Sequence, residues 1–202
     1  MINKFVVSTC ADILKEVFIG KNPADVHLSH FFKKNRNLGS HDRSNIAEIF
    51  YGVIRNKRYL EEIVQDENPK KMILVYLMVM LGKSVRELTS VLNDDEVEWL
   101  QNKKSNKQII KSWPVKLSLP DWLWEKFIKQ FSEKDLIMLA QSLLVPAQLN
   151  LRVNTLKDIS RDEVINELQK SFPEHEKLIL PTIYSPIGIS LPRGTAINKH
   201  TL

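Results

Sequence analysis

The stretch 145–157, Val-Pro-Ala-Gln-Leu-Asn-Leu-Arg-Val-Asn-Thr-Leu-Lys, constrains this chain most, because one periodicity ends there and another begins. Pro146 halts a helical pattern. Leu149, Leu151 and Val153 then alternate with Asn150, Arg152 and Asn154, the period of a half-buried strand over 149–154. Ser160-Arg161-Asp162-Glu163 follows, a hydroxyl with a carboxylate three residues on, and predicts a helix over 160–171. Further strands are expected around 177–180 and 188–191, kept short by Pro173, Pro181, Pro186 and Pro192. Everything before the junction reads helical and everything after it mixed. Two domains are therefore expected: 1–145 all-helical, and 146–202 a small α+β unit that ends before it could become a large catalytic domain.

The helical part divides by its apolar spacing. Phe5, Val6, Ala11, Ile13, Leu14, Val17 and Phe18 predict a helix over 4–19 that Gly20 ends. Asn22-Pro23 supplies an N-cap and a first-turn proline for a second helix, expected to bury Val26, Leu28, Phe31 and Phe32. After the Leu38-Gly39 turn, Ile46, Ile49, Phe50, Val53, Ile54, Leu60 and Ile63 recur at threes and fours and predict one helix of five or six turns. Gly52 within it implies close approach of another helix, since glycine in a helix interior costs roughly 1 kcal/mol relative to alanine. A central helix over 69–81 carries ten consecutive apolar residues from Met72, well short of the roughly 20 that cross a bilayer. Ser84 and Glu87 cap a further helix, 94–102 forms another, and 103–118 reads as a polar loop. Pro120 and Ser132 with Asp135 start the last two helices, whose Trp122, Trp124, Phe127 and Phe131 are expected to pack as an aromatic ridge.

A chain of 202 residues with 43% hydrophobic content has material for one good core and a smaller second one. The first twenty residues intersperse Lys4, Asp12, Lys15 and Glu16 among apolar positions, which excludes a signal peptide. A single cysteine excludes an internal disulfide and fits a reducing, cytoplasmic setting. Cys10 sits in an amphipathic helix without a basic neighbour and reads as a small buried thiol. His27 and His30 lie one helical turn apart, but without a third ligand of suitable spacing, His41 included, no metal is expected. The net charge of +5 and pI near 9.2 allow a polyanionic partner. Between positions 33 and 58 stand Lys33, Lys34, Arg36, Arg43, Arg55, Lys57 and Arg58 against only Asp42 and Glu48. Lys33, Lys34, Arg36, Arg55, Lys57 and Arg58 are the expected phosphate contacts. Asp42 and Arg43 read instead as structural, the acid suiting a helix start and the arginine tying the preceding loop to carboxylates of the bundle. A second group, Lys103, Lys104, Lys107, Lys111 and Lys116, reads as solvated.

A small sheet with a helix on one face is the expected form of the second domain, in the manner of ferredoxin-like or RNA-recognition folds. Arg152 and Lys157 are placed on it to meet RNA. Four motifs then carry a resemblance. Leu38-Gly39-Ser40-His41-Asp42-Arg43 with Ile46, Phe50-Tyr51-Gly52-Val53-Ile54-Arg55, Leu119-Pro120-Asp121-Trp122 and Leu151-Arg152-Val153-Asn154-Thr155-Leu156-Lys157 occur here in order. They resemble the amino-terminal region of the Sun/Nop family of RNA cytosine carbon-5 methyltransferases, nearest the bacterial ribosomal RNA enzymes of the RsmB kind.

The resemblance implies a NusB-like helical domain, then a small mixed domain, then a Rossmann-like domain that holds S-adenosylmethionine. It also implies a cysteine nucleophile in a Pro-Cys dipeptide of that third domain. No Pro-Cys occurs in this sequence, and its six glycines stand singly at 20, 39, 52, 82, 188 and 194 rather than in a nucleotide-holding turn. No catalytic, cofactor or metal residue is therefore expected, and S-adenosylmethionine belongs to the presumed parent. The expected partners are structured RNA, small-subunit ribosomal RNA first, and the missing methyltransferase domain, with no membrane. A freestanding NusB-like module in transcription or ribosome assembly is the alternative. An apolar patch is expected at 197–202.

Overall fold

A computed structural model of the chain describes residues 2–105, 110–195 and 197. It divides into two compact units, Met1–Leu144 and Val145–Leu202. Among the described residues the architecture is mainly helical with one small antiparallel sheet, the fold class expected from the periodicities. Among the described residues no helix is long and apolar enough to cross a membrane.

The first unit holds α1 (Lys4–Ile19), α2 (Ala24–Lys34), α3 (Ser40–Arg55), α4 (Lys57–Val64), α5 (Pro69–Val79), α6 (Val85–Leu88), α7 (Asp94–Ser105), α8 (Trp113–Lys116), α9 (Asp121–Phe127) and α10 (Glu133–Leu144). Asn3 caps α1, its side chain accepting from Val6 N–H, and Asn68 caps α5 in the same way from Lys71 N–H. The apolar run of α5 buries Met72, Ile73, Leu74, Val75, Tyr76 and Leu77 against α1, α3 and α4. Each such side chain contributes about 1.5–3 kcal/mol on leaving water, which makes α5 the axis of this unit. Gly52 lets α3 close on it: a Cβ there would lie 2.1 Å from the Tyr76 hydroxyl.

Several expectations for this unit are corrected. The long helix from Ile46 to Ile63 is two helices, because Asn56 leaves helical geometry at φ −106, ψ 17. Its buried side chain donates Nδ2–H to Gly52 O at 2.8 Å, sharing that carbonyl with its own backbone N–H at 3.2 Å and so capping the end of α3. Asn22 does not cap α2, where Pro23 holds the cap position, and Val26 is 49% exposed while Leu28 is buried. The loop expected over 103–118 is partly helical: α7 runs on to Ser105, and α8 begins at Trp113 with Pro114 in its first turn. The aromatic ridge does not pack as one surface. Trp124 joins Leu117, Leu119 and Ala140 in a small cluster, whereas Trp122 is 59% exposed.

The second unit runs β1 (Leu149–Arg152), α11 (Arg161–Ser171), β2 (Leu180–Pro181) and β3 (Gly188–Leu191), with strand order β1-β3-β2. Both pairings are antiparallel, Leu151 opposite Ile189 and Leu180 opposite Ser190. Ser160 and Glu163 form the full capping box at the start of α11. That helix buries Val164, Ile165 and Leu168 with Val153, Ile179, Ile189 and Leu191. The first half of the strand expected over 177–180 belongs to a 3-10 turn, Pro173–Leu178, and pairing begins only at Leu180. β1 stops at Arg152 because Asn154 opens a turn, its Oδ1 accepting from Leu156 N–H at 3.1 Å. The patch expected at 197–202 lies outside the described residues apart from Ile197, which packs on this core.

Candidate nucleic-acid interface

The expected phosphate contacts fall in three places, and the structure treats each differently. Lys33 and Lys34 occupy the last turn of α2 and Arg36 follows its end, all three exposed. Cations there suit the carbonyl end of the helix dipole. Asn35 closes the turn, with its N–H at 3.0 Å and its Nδ2–H at 2.9 Å from Phe31 O. Arg43 then fixes the whole corner. Its Nε donates to Leu38 O at 3.0 Å and its Nη2 to Asn35 O at 2.9 Å, while the guanidinium lies 5.2 Å from the centre of the Phe32 ring. Arg43 is structural, as expected, but it grips backbone carbonyls rather than carboxylates.

Arg55, Lys57 and Arg58 sit at the α3–α4 break and are drawn inward. The Arg55 Nε is buried without a hydrogen-bond partner among the described residues. Lys57 pairs with Glu61 and lies 4.9 Å from the Phe18 ring centre. Arg58 donates Nη1–H to Leu119 O and holds Asp121 Oδ1 at 2.7 Å through Nη2. Beside it Tyr59 N–H donates to Ser118 Oγ at 3.2 Å, and Ser118 takes φ +51 to reach. Arg58 is thus a tie between α4 and the start of α9.

Arg152 and Lys157 are exposed at one end of the small sheet. They border a cleft of about 250 Å³ whose walls are largely apolar, from Leu151, Val153, Ile159, Val164 and Ile189.

Of the second basic group, Lys107 lies outside the described residues. Lys103 and Lys71 both approach the Trp99 ring, at 5.9 and 5.5 Å from its centre. Lys116 lies 4.6 Å from that of Trp113, and Lys126 5.5 Å from that of Trp122. These cation–aromatic pairs escaped the sequence analysis, although spacings of three and four, as in Trp113 with Lys116 and Trp99 with Lys103, announce them.

The cysteine and glycines offer no reactive centre. Cys10 is buried with Sγ 3.4 Å from Ile46 O, and burial pushes its thiol up to about 12. A thiol in that state is a poor nucleophile at neutral pH. His27 faces Glu16, its Nδ1 3.5 Å from Oε2, and among the described residues no three His, Cys, Asp or Glu side chains converge on one point. Gly52 and Gly188, the two tightest glycines, are filled by Tyr76 and Thr182 rather than left open as a cradle.

Residues 119–198 match a family model described as Methyltr_RsmF/B-like, ferredoxin-like domain. The likeness is to RsmF/B methyltransferases. It covers α9, α10 and most of the second unit, and supports the Sun/RsmB resemblance over that stretch. The RsmF/B match begins within the first compact unit, so the family's domain takes in two helices that pack here with Leu117 and Trp113. Among curated proteins, none matches the chain.

Proposed function

We propose that this chain is the RNA-binding amino-terminal region of an S-adenosylmethionine-dependent ribosomal RNA cytosine carbon-5 methyltransferase. Its helical part serves as a NusB-like domain, and it orients structured small-subunit RNA for a catalytic domain that lies outside the chain and holds the cofactor. The setting is cytoplasmic. The observation that carries this reading is the RsmF/B-like match over 119–198, joined to the exposed cations Lys33, Lys34, Arg36 and Arg152.

Within the proposal the phosphate contacts rank by exposure. Lys33, Lys34 and Arg36 come first, on a corner that Arg43 holds in shape. Arg152 and Lys157 come next, on the sheet. Arg55, Lys57 and Arg58 add to the local positive field from a more engaged position. The chain should bind small-subunit ribosomal RNA fragments with an affinity that falls steeply as salt rises, by a slope of about 0.9 per phosphate neutralised on a duplex. A titration at several salt concentrations checks this, and an affinity indifferent to salt excludes the phosphate mechanism.

A further inference from the structure

Two loops at one end of the second unit display side chains that its own folding does not use. Arg152 stands opposite Gly188 in the β1–β3 register, Val153 N–H donates to Ile187 O at 2.9 Å, and Thr182 N–H donates to Gly188 O at 3.0 Å. The segments 153–159 and 182–187 therefore leave the same end of the sheet. On them Leu156 is 95%, Ile183 90% and Tyr184 97% exposed. Large apolar groups at that exposure gain nothing from the fold that carries them.

The turn that presents Tyr184 is pinned at its base. Gly188 N–H and Thr182 Oγ1–H both donate to Ser185 O at 3.2 Å. A Cβ on Gly188 would lie 2.1 Å from Thr182 Oγ1, so the hairpin closes tightly across that glycine. Pro186 fixes a further backbone angle within it. The tyrosine is thus held out with both ring faces open.

Charge decides what such a ring meets. The segments 152–159 and 182–188 carry Arg152 and Lys157 against the single carboxylate of Asp158. An open aromatic face beside cations is the arrangement that stacks an unpaired base while its phosphates are neutralised, whereas a duplex keeps its base faces covered. Tyr184, Ile183 and Leu156 do not line the apolar cleft bordered by Arg152 and Lys157, so a peptide seated there would leave them unused. Resting on the RNA reading above, we infer that Tyr184 is a stacking post for an unpaired nucleotide, with Arg152 on the adjoining phosphate and Ile183 and Leu156 as apolar flanks. The second unit would then take single-stranded RNA, a loop or a junction.

The test uses the full chain with two probes, an unstructured oligoadenylate and a blunt RNA duplex of similar length. Tyr184→Ala should weaken oligoadenylate binding about tenfold and leave duplex binding within about twofold, while Tyr184→Phe keeps the affinity of the parent. Thermal melting of both variants should match that of the parent, since the ring makes no contribution to the core. Oligoadenylate affinity unchanged in Tyr184→Ala, or an equal loss on both probes, overturns the inference. If charge removal at Lys33, Lys34 and Arg36 abolishes binding to both probes while Tyr184→Ala does nothing, only this inference falls. A chain that binds neither probe overturns it together with the RNA reading.

Discussion

The end of α2 and the break between α3 and α4 carry similar charge and put it to opposite use. Lys33, Lys34 and Arg36 stand in water on a corner built by other residues, chiefly Arg43. Arg55, Lys57 and Arg58 stand where Gly52 meets Tyr76, Asn56 turns back on Gly52, and Arg58 reaches across to Leu119 and Asp121. Clustering along a sequence therefore gives the sign of a local field but not its availability. Availability is settled by whether the neighbouring backbone has unmet hydrogen-bonding needs, and at the break it has several.

The sharpest way to disturb this contrast is Gly52→Leu. The new side chain must enter space held by the buried Tyr76 hydroxyl, so a stability loss of about 3 kcal/mol or more is expected by chemical denaturation. A parent-like midpoint would mean that α3 and α5 are not pressed together. Arg58→Ala comes next. It leaves Leu119 O and Asp121 without their partner and should cost about 1–3 kcal/mol, against less than about 1 for Lys57→Ala, whose pair with Glu61 is half exposed. Equal costs would erase the distinction between a tie and a surface pair.

Cys10 gives a smaller, pH-dependent effect on the buried side of the comparison. Its folded thiol is raised from 9.0 to about 12 by burial, so the folded state holds that proton more tightly than the unfolded chain does. Its share of stability is whole below pH 9 and is lost as pH climbs through 9 towards 12. Melting curves between pH 8 and 11 should therefore fall less steeply for Cys10→Ala than for the parent, and thiol reagents should label the folded parent slowly at pH 8. The smallest effect on stability is expected at the α2 corner. Replacing Lys33, Lys34 and Arg36 together by alanine should shift unfolding by no more than about 1 kcal/mol while reducing the salt slope of RNA binding by about 2 to 3. A large unfolding shift would show that the corner is built into the packing after all.

Much of the fold was legible because its signals are local. Ser84 with Glu87, Ser132 with Asp135, and Ser160 with Glu163 were read as helix starts from a hydroxyl and a carboxylate three residues apart, and each makes that bond. Gly52 announced a close approach because nothing else recommends glycine in mid-helix. The break at Asn56 was hidden, since Val53, Ile54, Leu60 and Ile63 keep the apolar period running straight through a side chain that takes a backbone carbonyl. The 3-10 turn Pro173–Leu178 was hidden likewise, because three or four mixed residues near a proline fit either conformation. For the candidate site, the types of residue were visible while their engagement was not. Arg58 finds Leu119 and Asp121 sixty positions along the chain, and no periodicity encodes such a meeting.

The three-stranded sheet has two unlike borders. On one side β2 ends at Pro181, whose ring nitrogen has no hydrogen to offer a newcomer. On the other, β1 contains no proline and, among the described residues, pairs only with β3, so alternate amides and carbonyls along Leu149–Arg152 point away from the sheet. Any extension by another extended segment is thereby directed to one flank, and the strand that would receive it is the one bearing Arg152.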